Sequence, residues 1–263
     1  MGKTVSSDYL IVGSGAVGMA FADVMLTETD ATITIVDRFP APGGHWNVAY
    51  PFVTLHQPSA YYGVSSKELS KGKLDQVGLN KGLNDLASGA EVSAYFDEVM
   101  RQTFLPSGRV NYFPMSDYKG EGRFTSLLSG EETTVRYDKL VDATFLNTSV
   151  PSTHVPNFEI DDGVRFMPVN GLTTVKDAPD GFVIVGAGKT GIDACLWLLQ
   201  NGVDPGRITW IMPRDAWLID RRNTQPTEAF FDQAIGSQAA LMESLAQAED
   251  MDDAFDRLEA SGY

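Results

Sequence analysis

A short apolar run followed by Gly-x-Gly-x-x-Gly occurs twice in this chain, and this repeat is the feature that most constrains its fold. The first copy runs from Asp8 to Gly18, and the second runs from Gly181 to Gly191. A buried strand, a glycine turn and a helix begin a βαβ unit. The first glycines of the two motifs lie 173 residues apart (186 − 13), which is too far for a solenoid repeat. The spacing suits two nucleotide-binding folds in one chain.

The glycines of the first copy are placed as a dinucleotide-binding turn requires. Gly13 permits the tight turn, Gly15 lets the backbone approach a pyrophosphate, and Gly18 lets helix and strand pack closely. Ser14 and Ala16 complete the turn and open the helix, whose free N–H groups attract phosphate. The alternative interpretation is a tight turn that binds no ligand.

An acid ends the second strand of this first unit. The predicted strand 9–12, helix 16–26 and strand 32–36 together have the length of one βαβ unit. Asp37 follows 24 residues after Gly13, where a carboxylate can accept hydrogen bonds from ribose hydroxyls. Strand, helix, second strand and terminal acid together make the glycine motif a specific signal.

The second copy lacks such an acid. Its second predicted strand, 207–212, is followed by Arg214. A base at this position suits the 2′-phosphate of NADP, which an acid would repel. The alternative is a surface arginine paired with Asp215.

The end of the second motif, Gly188-Lys189-Thr190, also resembles the end of an ATP phosphate loop. That loop needs a glycine five residues before Gly188, and this position holds Val183, inside the predicted strand. We therefore prefer the dinucleotide interpretation.

The predicted fold class is α/β, with two domains. A Rossmann-like domain over 1–150 has a parallel sheet plus a small antiparallel ribbon, and a second, incomplete Rossmann-like domain over 151–263 ends in acidic helices. The remaining predicted elements are a loop at 39–62, a helix at 91–104, strands at 109–113, 123–129, 133–137 and 140–145, a crossing segment at 150–180, strand 182–185 and helix 190–199. Beyond Pro226, Leu241, Leu245, Ala248, Met251, Phe255 and Leu258 recur at helical steps.

Composition excludes several function classes. The net charge is −15, and the segment from Pro226 to Tyr263 carries nine acids and one base, so binding of nucleic acid by bulk charge is not expected. No apolar run is long enough to cross a membrane, and we expect a cytoplasmic protein. The single cysteine, Cys195, excludes a Cys-x-x-Cys pair, and the three histidines are not spaced like metal ligands.

Several segments together carry a family resemblance. They are Gly13–Gly18, Asp37, Gly43-Gly-His-Trp46, Tyr50-Pro-Phe-Val-Thr-Leu-His-Gln57, Tyr137-Asp-Lys-Leu-Val-Asp-Ala-Thr144 and Gly186–Gly191. With them the chain resembles flavoproteins that have two dinucleotide-binding domains, in particular those of the flavin-containing and Baeyer–Villiger monooxygenase type. It is similar to actinobacterial-type NAD(P)/FAD-binding proteins.

The resemblance implies FAD on the first glycine loop and NADPH on the second. Asp37 is then expected to hold the adenosine ribose, Gly44 and Trp46 to line the flavin region, and the Val110 backbone to contact the adenine. The full set of expected FAD residues is Gly13, Ser14, Gly15, Ala16, Gly18, Asp37, Arg38, Gly44, His45, Trp46, Gln57, Val110, Ala143 and Thr144. The expected NADP set is Gly186, Gly188, Lys189, Thr190, Gly191 and Arg214.

Three departures qualify the implied activity. The monooxygenase fingerprint F-x-G-x-x-x-H is missing, because 164–175 contains no histidine, and the usual Ala-Thr-Gly reads Ala143-Thr144-Phe145. Family members continue past the point at which this sequence stops, so we expect a fragment. The sequence thus predicts an oxidoreductase in which NADPH reduces FAD, with monooxygenation of a small organic substrate as an extension. The alternative is a non-catalytic dinucleotide-binding or redox-sensing protein.

Overall fold

The computed structural model describes residues 3–144, 151–153, 155–214 and 218–262. The elements of its first part are β1 (Lys3–Val12), α1 (Ala16–Glu28), β2 (Ile33–Val36), β3 (Gly63–Val64), β4 (Lys67–Glu68), α2 (Gly89–Val99), β5 (Val110–Phe113), β6 (Ser116–Gly120), β7 (Arg123–Ser126) and β8 (Glu132–Asp142). Those that follow are β9 (Phe182–Val185), α3 (Lys189–Gln200), β10 (Ile208–Ile211), α4 (Phe231–Gln247) and α5 (Met251–Ala260).

The larger sheet has six strands in the order β5-β2-β1-β8-β7-β6. Strands β5, β2, β1 and β8 run parallel, whereas β7 and β6 turn back as an antiparallel ribbon. The α/β class, the parallel sheet and the small ribbon are therefore confirmed. Because parallel strands end at the same edge, the segments after β1, β2 and β8 come together there.

Several strands differ from their predicted extents. The predicted strands 133–137 and 140–145 are one strand, β8, which pairs with β1 from Thr133 to Asp142. Strand β6 was not predicted, because its Ser-Asp-Tyr-Lys-Gly sequence has no apolar run; pairing with β7 holds it in place.

Helix α2 covers one predicted apolar stripe. Val92, Phe96, Val99, Met100 and Phe104 are all at most 1% exposed, as their spacing predicted. The helix begins with a capping box, in which the Ser88 hydroxyl accepts from the Glu91 N–H at 3.3 Å and the Glu91 carboxylate accepts from the Ser88 N–H at 2.9 Å. Its last turns, Met100–Phe104, widen into a π-helix.

The second glycine motif starts a smaller unit of the same type. Strands β9 and β10 are parallel neighbours in a two-stranded sheet, and α3 connects them. Buried Leu172, Ala194 and Leu198 pack with Phe182, Ile184 and Ile208 beneath the helix. Within the described residues this sheet has only these two strands.

Contacts group the chain into two compact units. One comprises Met1–Thr54, Gly63–Glu68 and Ser88–Arg214, and the other comprises Leu55–Tyr62, Leu69–Ala87 and Asp215–Tyr263. Both glycine motifs lie in the first unit. The predicted domain boundary at residue 150 falls outside the described residues and stays a prediction.

The acidic segment of the second unit is helical, as predicted, but its apolar stripe is not buried. Leu245 is 50% exposed and Met251 is 60% exposed, whereas Ser237 and Ser244 form the buried positions of α4. Ser237 donates to the Asn223 carbonyl at 3.2 Å, so the buried face of α4 includes a polar contact. In the part of the chain that the structure describes, no helix is long and apolar enough to cross a membrane.

Candidate functional site

The first glycine loop has the backbone geometry that its sequence predicts. Gly13 has φ +99°, a conformation that L side chains rarely adopt, and its N–H donates to the Val36 carbonyl at 2.8 Å. A Cβ on Gly18 would overlap the Gly13 carbonyl oxygen, so helix α1 packs against the turn only because residue 18 is glycine. Gly15 is the N-cap of α1, and no side chain of the described residues caps this helix end, which leaves its first N–H groups for a ligand.

The segment Gly43-Gly44 lies against this loop. The Gly43 N–H donates to the Ser14 carbonyl at 2.8 Å. A Cβ on Gly44 would stand 3.0 Å from the Cα of Gly15, and Gly44 has φ +59°. Two backbones thus meet with no side chain between them, which forms a cradle that any larger residue would fill.

Asp37 is buried at the carboxyl end of β2 and is tied to the same loop. Its Oδ2 accepts from both the N–H and the hydroxyl of Ser14, the latter at 2.7 Å, and its Oδ1 accepts from the Phe39 N–H at 2.7 Å. The adjacent Arg38 points to the surface, 3.4 Å from the Asp117 carboxylate. The structure therefore brings Asp37 to the glycine loop but directs Arg38 to a surface ion pair.

Tyr112, on β5, is a residue near this site that sequence reasoning missed. Among the described residues its hydroxyl is buried without a hydrogen-bond partner. Burial raises the pKa of Tyr112 to about 12, and the nearby Ser14 hydroxyl opposes the shift. The Ser14 hydroxyl, which donates to Asp37, lies near the Tyr112 hydroxyl but does not meet hydrogen-bond geometry with it, so the Tyr112 hydroxyl is a buried polar group beside the loop.

The other predicted FAD residues lie at different distances along the chain from the first glycine loop, and not all of them are brought to it. Val110 is buried in β5, the edge strand of the sheet, and Ala143 follows β8, its N–H donating to the Val12 carbonyl at 2.9 Å. The Thr144 hydroxyl donates to Asp142 at 2.6 Å, and its methyl group lies 3.4 Å from where a Gly13 Cβ would be. Ala143 and Thr144 therefore join the first loop. Val110 pairs with Ile33 at the start of β2, at the opposite end of the strands from this loop, so the structure does not bring it to the loop. Gln57 belongs to the other compact unit.

His45 and Trp46 follow the glycine pair in a 3₁₀ turn, Gly44–Val48. The centroids of their rings lie 5.1 Å apart, and the ring planes are inclined by 30° to each other. Burial lowers the pKa of His45, which favours its neutral form. His45 remains exposed and Trp46 is partly buried, so the two rings follow the glycine pair at the surface end of this segment.

The second glycine loop repeats the geometry of the first. Gly186 has φ +117° and its N–H donates to the Ile211 carbonyl at 2.9 Å, while a Cβ on Gly191 would overlap the Gly186 carbonyl oxygen. Gly188 is the N-cap of α3, with φ −74° and ψ 170° against −72° and −176° at Gly15. The Trp210 indole N–H donates to the Gly186 carbonyl at 2.8 Å and adds a contact that the sequence did not predict.

Three predicted NADP residues flank this loop. Lys189 and Thr190 open α3, and the Lys189 ammonium is paired with the Asp193 carboxylate one turn on. Arg214 is exposed after β10, and its alternative partner Asp215 lies outside the described residues. Lys189 is therefore neutralised within the protein.

Aromatic residues from the loop after His45 reach α3, and sequence reasoning did not pair them. The Tyr50 hydroxyl donates to Asp193 Oδ2 at 2.6 Å. Phe52 stacks on Trp197, which lies one turn further along α3. The ring centroids are 5.0 Å apart and the ring planes are inclined by 20°. Asp193 and Trp197 had no motif of their own, so no local signal could have indicated these contacts.

The fold and the two matching loops define a Rossmann-type α/β protein with two dinucleotide-binding turns. The model of the pyridine nucleotide-disulphide oxidoreductase family matches residues 7–256, and the chain belongs to this family. Membership of this family indicates a pyridine nucleotide as a cofactor, in agreement with the sequence prediction.

Curated relatives are much longer than this chain. Uncharacterized proteins of Mycobacterium bovis and Mycobacterium tuberculosis are each 50% identical to it over 260 residues, which is 99% of this chain and 48% of theirs. The chain thus spans about half the length of the curated relatives that it matches.

Solved structures with this fold include three monooxygenases. A flavin-containing monooxygenase from Stenotrophomonas maltophilia is 18% identical with a TM-score of 0.50, covering 88% of this chain and 67% of that one. An oxidized steroid monooxygenase bound to NADP is 19% identical with a TM-score of 0.51, covering 90% and 45%. An open form of cyclohexanone monooxygenase is 16% identical with a TM-score of 0.51, covering 90% and 46%. At these identities the likeness concerns the fold.

Proposed function

We propose that this chain is the two-dinucleotide part of a flavin-dependent oxidoreductase in which NADPH reduces bound FAD. The observation that carries the proposal is the matched geometry of the two glycine loops within one compact unit. When bound, FAD would accept a hydride from NADPH and pass the electrons to a further acceptor.

The residues around the first loop fit FAD. The Gly15–Gly44 cradle offers backbone without side chains, and the uncapped start of α1 offers N–H groups to a pyrophosphate. Asp37 stands at the end of β2, where a carboxylate can accept from ribose hydroxyls. We assign Ala143 and Thr144, at the end of β8, to the flavin side of the same site.

The residues around the second loop fit a pyridine dinucleotide. Among the described residues, no heavy atom lies within 4 Å of where a Gly188 Cβ would be, so these residues leave the space over the start of α3 open. Arg214 follows β10, at the position where a base selects the 2′-phosphate of NADP. Its exposure leaves the guanidinium available to such a phosphate.

The residues give less support to oxygenation of an organic substrate. Where the fingerprint F-x-G-x-x-x-H would fall, Phe166 is followed by Pro168 and then by Leu172 in place of histidine. Leu172 is buried in the apolar core beneath α3. We therefore propose flavin reduction as the shared function and treat oxygen transfer as an outcome to be measured.

The test is flavin retention followed by anaerobic reduction. The purified protein should absorb at about 450 nm, as bound flavin does. This absorbance band should bleach when NADPH is added. Aerobic turnover with product analysis then separates hydrogen peroxide from an oxygenated organic product. Colourless protein that binds nucleotide weakly after incubation with FAD would instead support the non-catalytic alternative.

A further inference from the structure

The segment 43–52, here called the bridging loop, contacts the first glycine loop at one end. The Gly43 N–H donates to the Ser14 carbonyl at 2.8 Å, and Gly44 lies directly against Gly15. These are backbone contacts, so the start of the bridging loop has little freedom to move relative to the first nucleotide turn.

The other end of the bridging loop is attached to helix α3. The Tyr50 hydroxyl donates to Asp193 Oδ2 at 2.6 Å, and the Phe52 ring stacks on Trp197. Asp193 and Trp197 are one turn apart and so lie on the same face of the helix. Asp193 is five residues after Gly188, the N-cap, which places the Tyr50 contact about 7.5 Å along the axis from the second nucleotide turn.

The middle of the bridging loop is also fixed. The Val48 carbonyl accepts from the Asn170 side-chain amide at 3.0 Å and from the Ser152 hydroxyl at 3.3 Å. The Asn47 amide donates to the carbonyls of Ala41 and Gly44 at 3.0 Å. The loop is therefore held along its length and can transmit position from one end to the other.

The Tyr50–Asp193 contact is polar, specific and well shielded. Tyr50 is buried, and the Asp193 side chain is 17% exposed. The same carboxylate oxygen also binds the Lys189 ammonium, so the negative charge that Tyr50 meets is compensated within α3. Burial and the Asp193 carboxylate raise the pKa of Tyr50, which keeps its hydroxyl a donor through the physiological range.

We propose that Tyr50 is a positioning residue, whose bond to Asp193 holds the second glycine loop at a fixed distance and angle from the first. This inference rests on the proposed function, because the fixed distance matters for hydride transfer from NADPH to FAD. Hydride transfer depends steeply on the approach of the two reacting atoms, and a displacement of about 1 Å can cost on the order of a hundredfold in rate.

The test compares Tyr50→Phe with wild type and with Tyr61→Phe, a matched loss of a hydroxyl from an exposed tyrosine. In Tyr50→Phe, the rate of anaerobic flavin reduction at saturating NADPH should fall about tenfold or more, while the Kd for NADP+ changes less than about twofold. Asp193→Asn keeps a carbonyl acceptor for Tyr50, so its flavin reduction rate should lie between those of wild type and Tyr50→Phe. Tyr61→Phe should match wild type.

A second readout does not depend on flavin reduction. Hydrogen exchange on flavin-free protein should show faster exchange in 47–53 and in α3 for Tyr50→Phe than for Tyr61→Phe, with no change in β1 or α2. Wild-type protein that binds FAD but is not bleached by NADPH would refute the proposed function, while the exchange comparison would still decide whether Tyr50 ties the two loops together.

Two results would overturn the positioning role. One is unchanged exchange together with an unchanged reduction rate in Tyr50→Phe. The other is a parallel loss of reduction rate, NADP+ affinity and Tm, which would show that the bond serves stability alone.

Discussion

The Cα of Gly15 and the backbone of Gly44 meet so closely that a Cβ on Gly44 would stand 3.0 Å away. The two glycines are 29 residues apart in sequence (44 − 15), and each belongs to a different motif. Their contact assembles the first nucleotide turn and the start of the bridging loop into one surface. This contact and the hydrogen bonds around it lead to specific predictions.

Gly44→Ala should weaken FAD binding more than it weakens the fold. The substitution introduces a Cβ at φ +59° that also presses on Gly15. Gly72→Ala is the matched control, since Gly72 has φ +61° and no heavy atom within 4 Å of where its Cβ would be. Both variants should lose about 1 kcal/mol for the positive φ, and only Gly44→Ala should lose FAD affinity, by about tenfold or more in titration. Equal FAD affinity in the two variants would contradict the proposal that FAD lies in the Gly15–Gly44 cradle.

Asp37→Asn should lower both stability and FAD retention. Asp37 accepts from the N–H and the hydroxyl of Ser14, and the amide offers one oxygen in place of two. Asp8→Asn is a matched control, because Asp8 accepts in the same way from the N–H and hydroxyl of Thr32 but is exposed. We expect a loss of about 1–3 kcal/mol in denaturant unfolding and at least about tenfold in FAD affinity for Asp37→Asn. Asp8→Asn should retain FAD; if it lost FAD as readily, the ribose assignment would be wrong.

Gly188→Ala should separate nucleotide binding from folding in the second loop. Gly188 has φ −74° and open space around its Cβ position, so alanine fits the protein but occupies the place proposed for the pyrophosphate. The Kd for NADP+ should rise about tenfold with a Tm change of less than about 2 °C. Gly191→Ala, whose Cβ would overlap the Gly186 carbonyl, should lower the Tm clearly. If Gly188→Ala bound NADP+ with wild-type affinity, the pyrophosphate could not lie against residue 188.

Arg214→Ala should weaken the binding of NADPH more than the binding of NADH. The exposed guanidinium is proposed to pair with the 2′-phosphate, which NADH lacks. Arg123→Ala, which removes an exposed arginine paired with Glu121, serves as the control for general loss of charge. We expect about a tenfold rise in Kd for NADPH and less than about twofold for NADH, measured by titration. Equal losses for the two nucleotides would refute the assignment.

Tyr112→Phe should leave the flavin-free protein as stable as wild type or more stable. Its hydroxyl is buried and has no partner among the described residues, so its removal relieves a desolvation cost. Tyr95→Phe is the contrasting variant, because the Tyr95 hydroxyl donates to the Lys67 carbonyl at 2.6 Å and accepts from the Val64 N–H at 2.7 Å. Denaturant unfolding should show a loss of about 1–3 kcal/mol for Tyr95→Phe only. A comparable loss in Tyr112→Phe would reveal a partner for its hydroxyl.

Local signals predicted the parts of the site that depend on backbone conformation. Gly13 and Gly186 occupy positive-φ turns, and Gly18 and Gly191 permit close packing, as the motif requires. The buried stripe of α2 also followed from its spacing. These features repeat at short, fixed intervals along the chain, so sequence alone could reveal them.

Contacts between distant residues could not be predicted in the same way. Tyr50 and Asp193 are 143 residues apart, and neither carries a pattern that identifies its partner. The spacing of the apolar residues in the acidic helices likewise predicted helices but not their packing, because periodicity does not say which face of a helix is buried. In α4, Ser237 and Ser244 lie inward instead.

The sequence by itself determined the two nucleotide turns, the α/β class and the order of the main elements, because each follows from backbone preferences and short-range periodicity. The tertiary structure alone decided how Gly44 lies on Gly15, how Asp37 binds Ser14, and how Tyr50 reaches α3. Those arrangements depend on hydrogen bonds and packing between segments that only chain folding brings together.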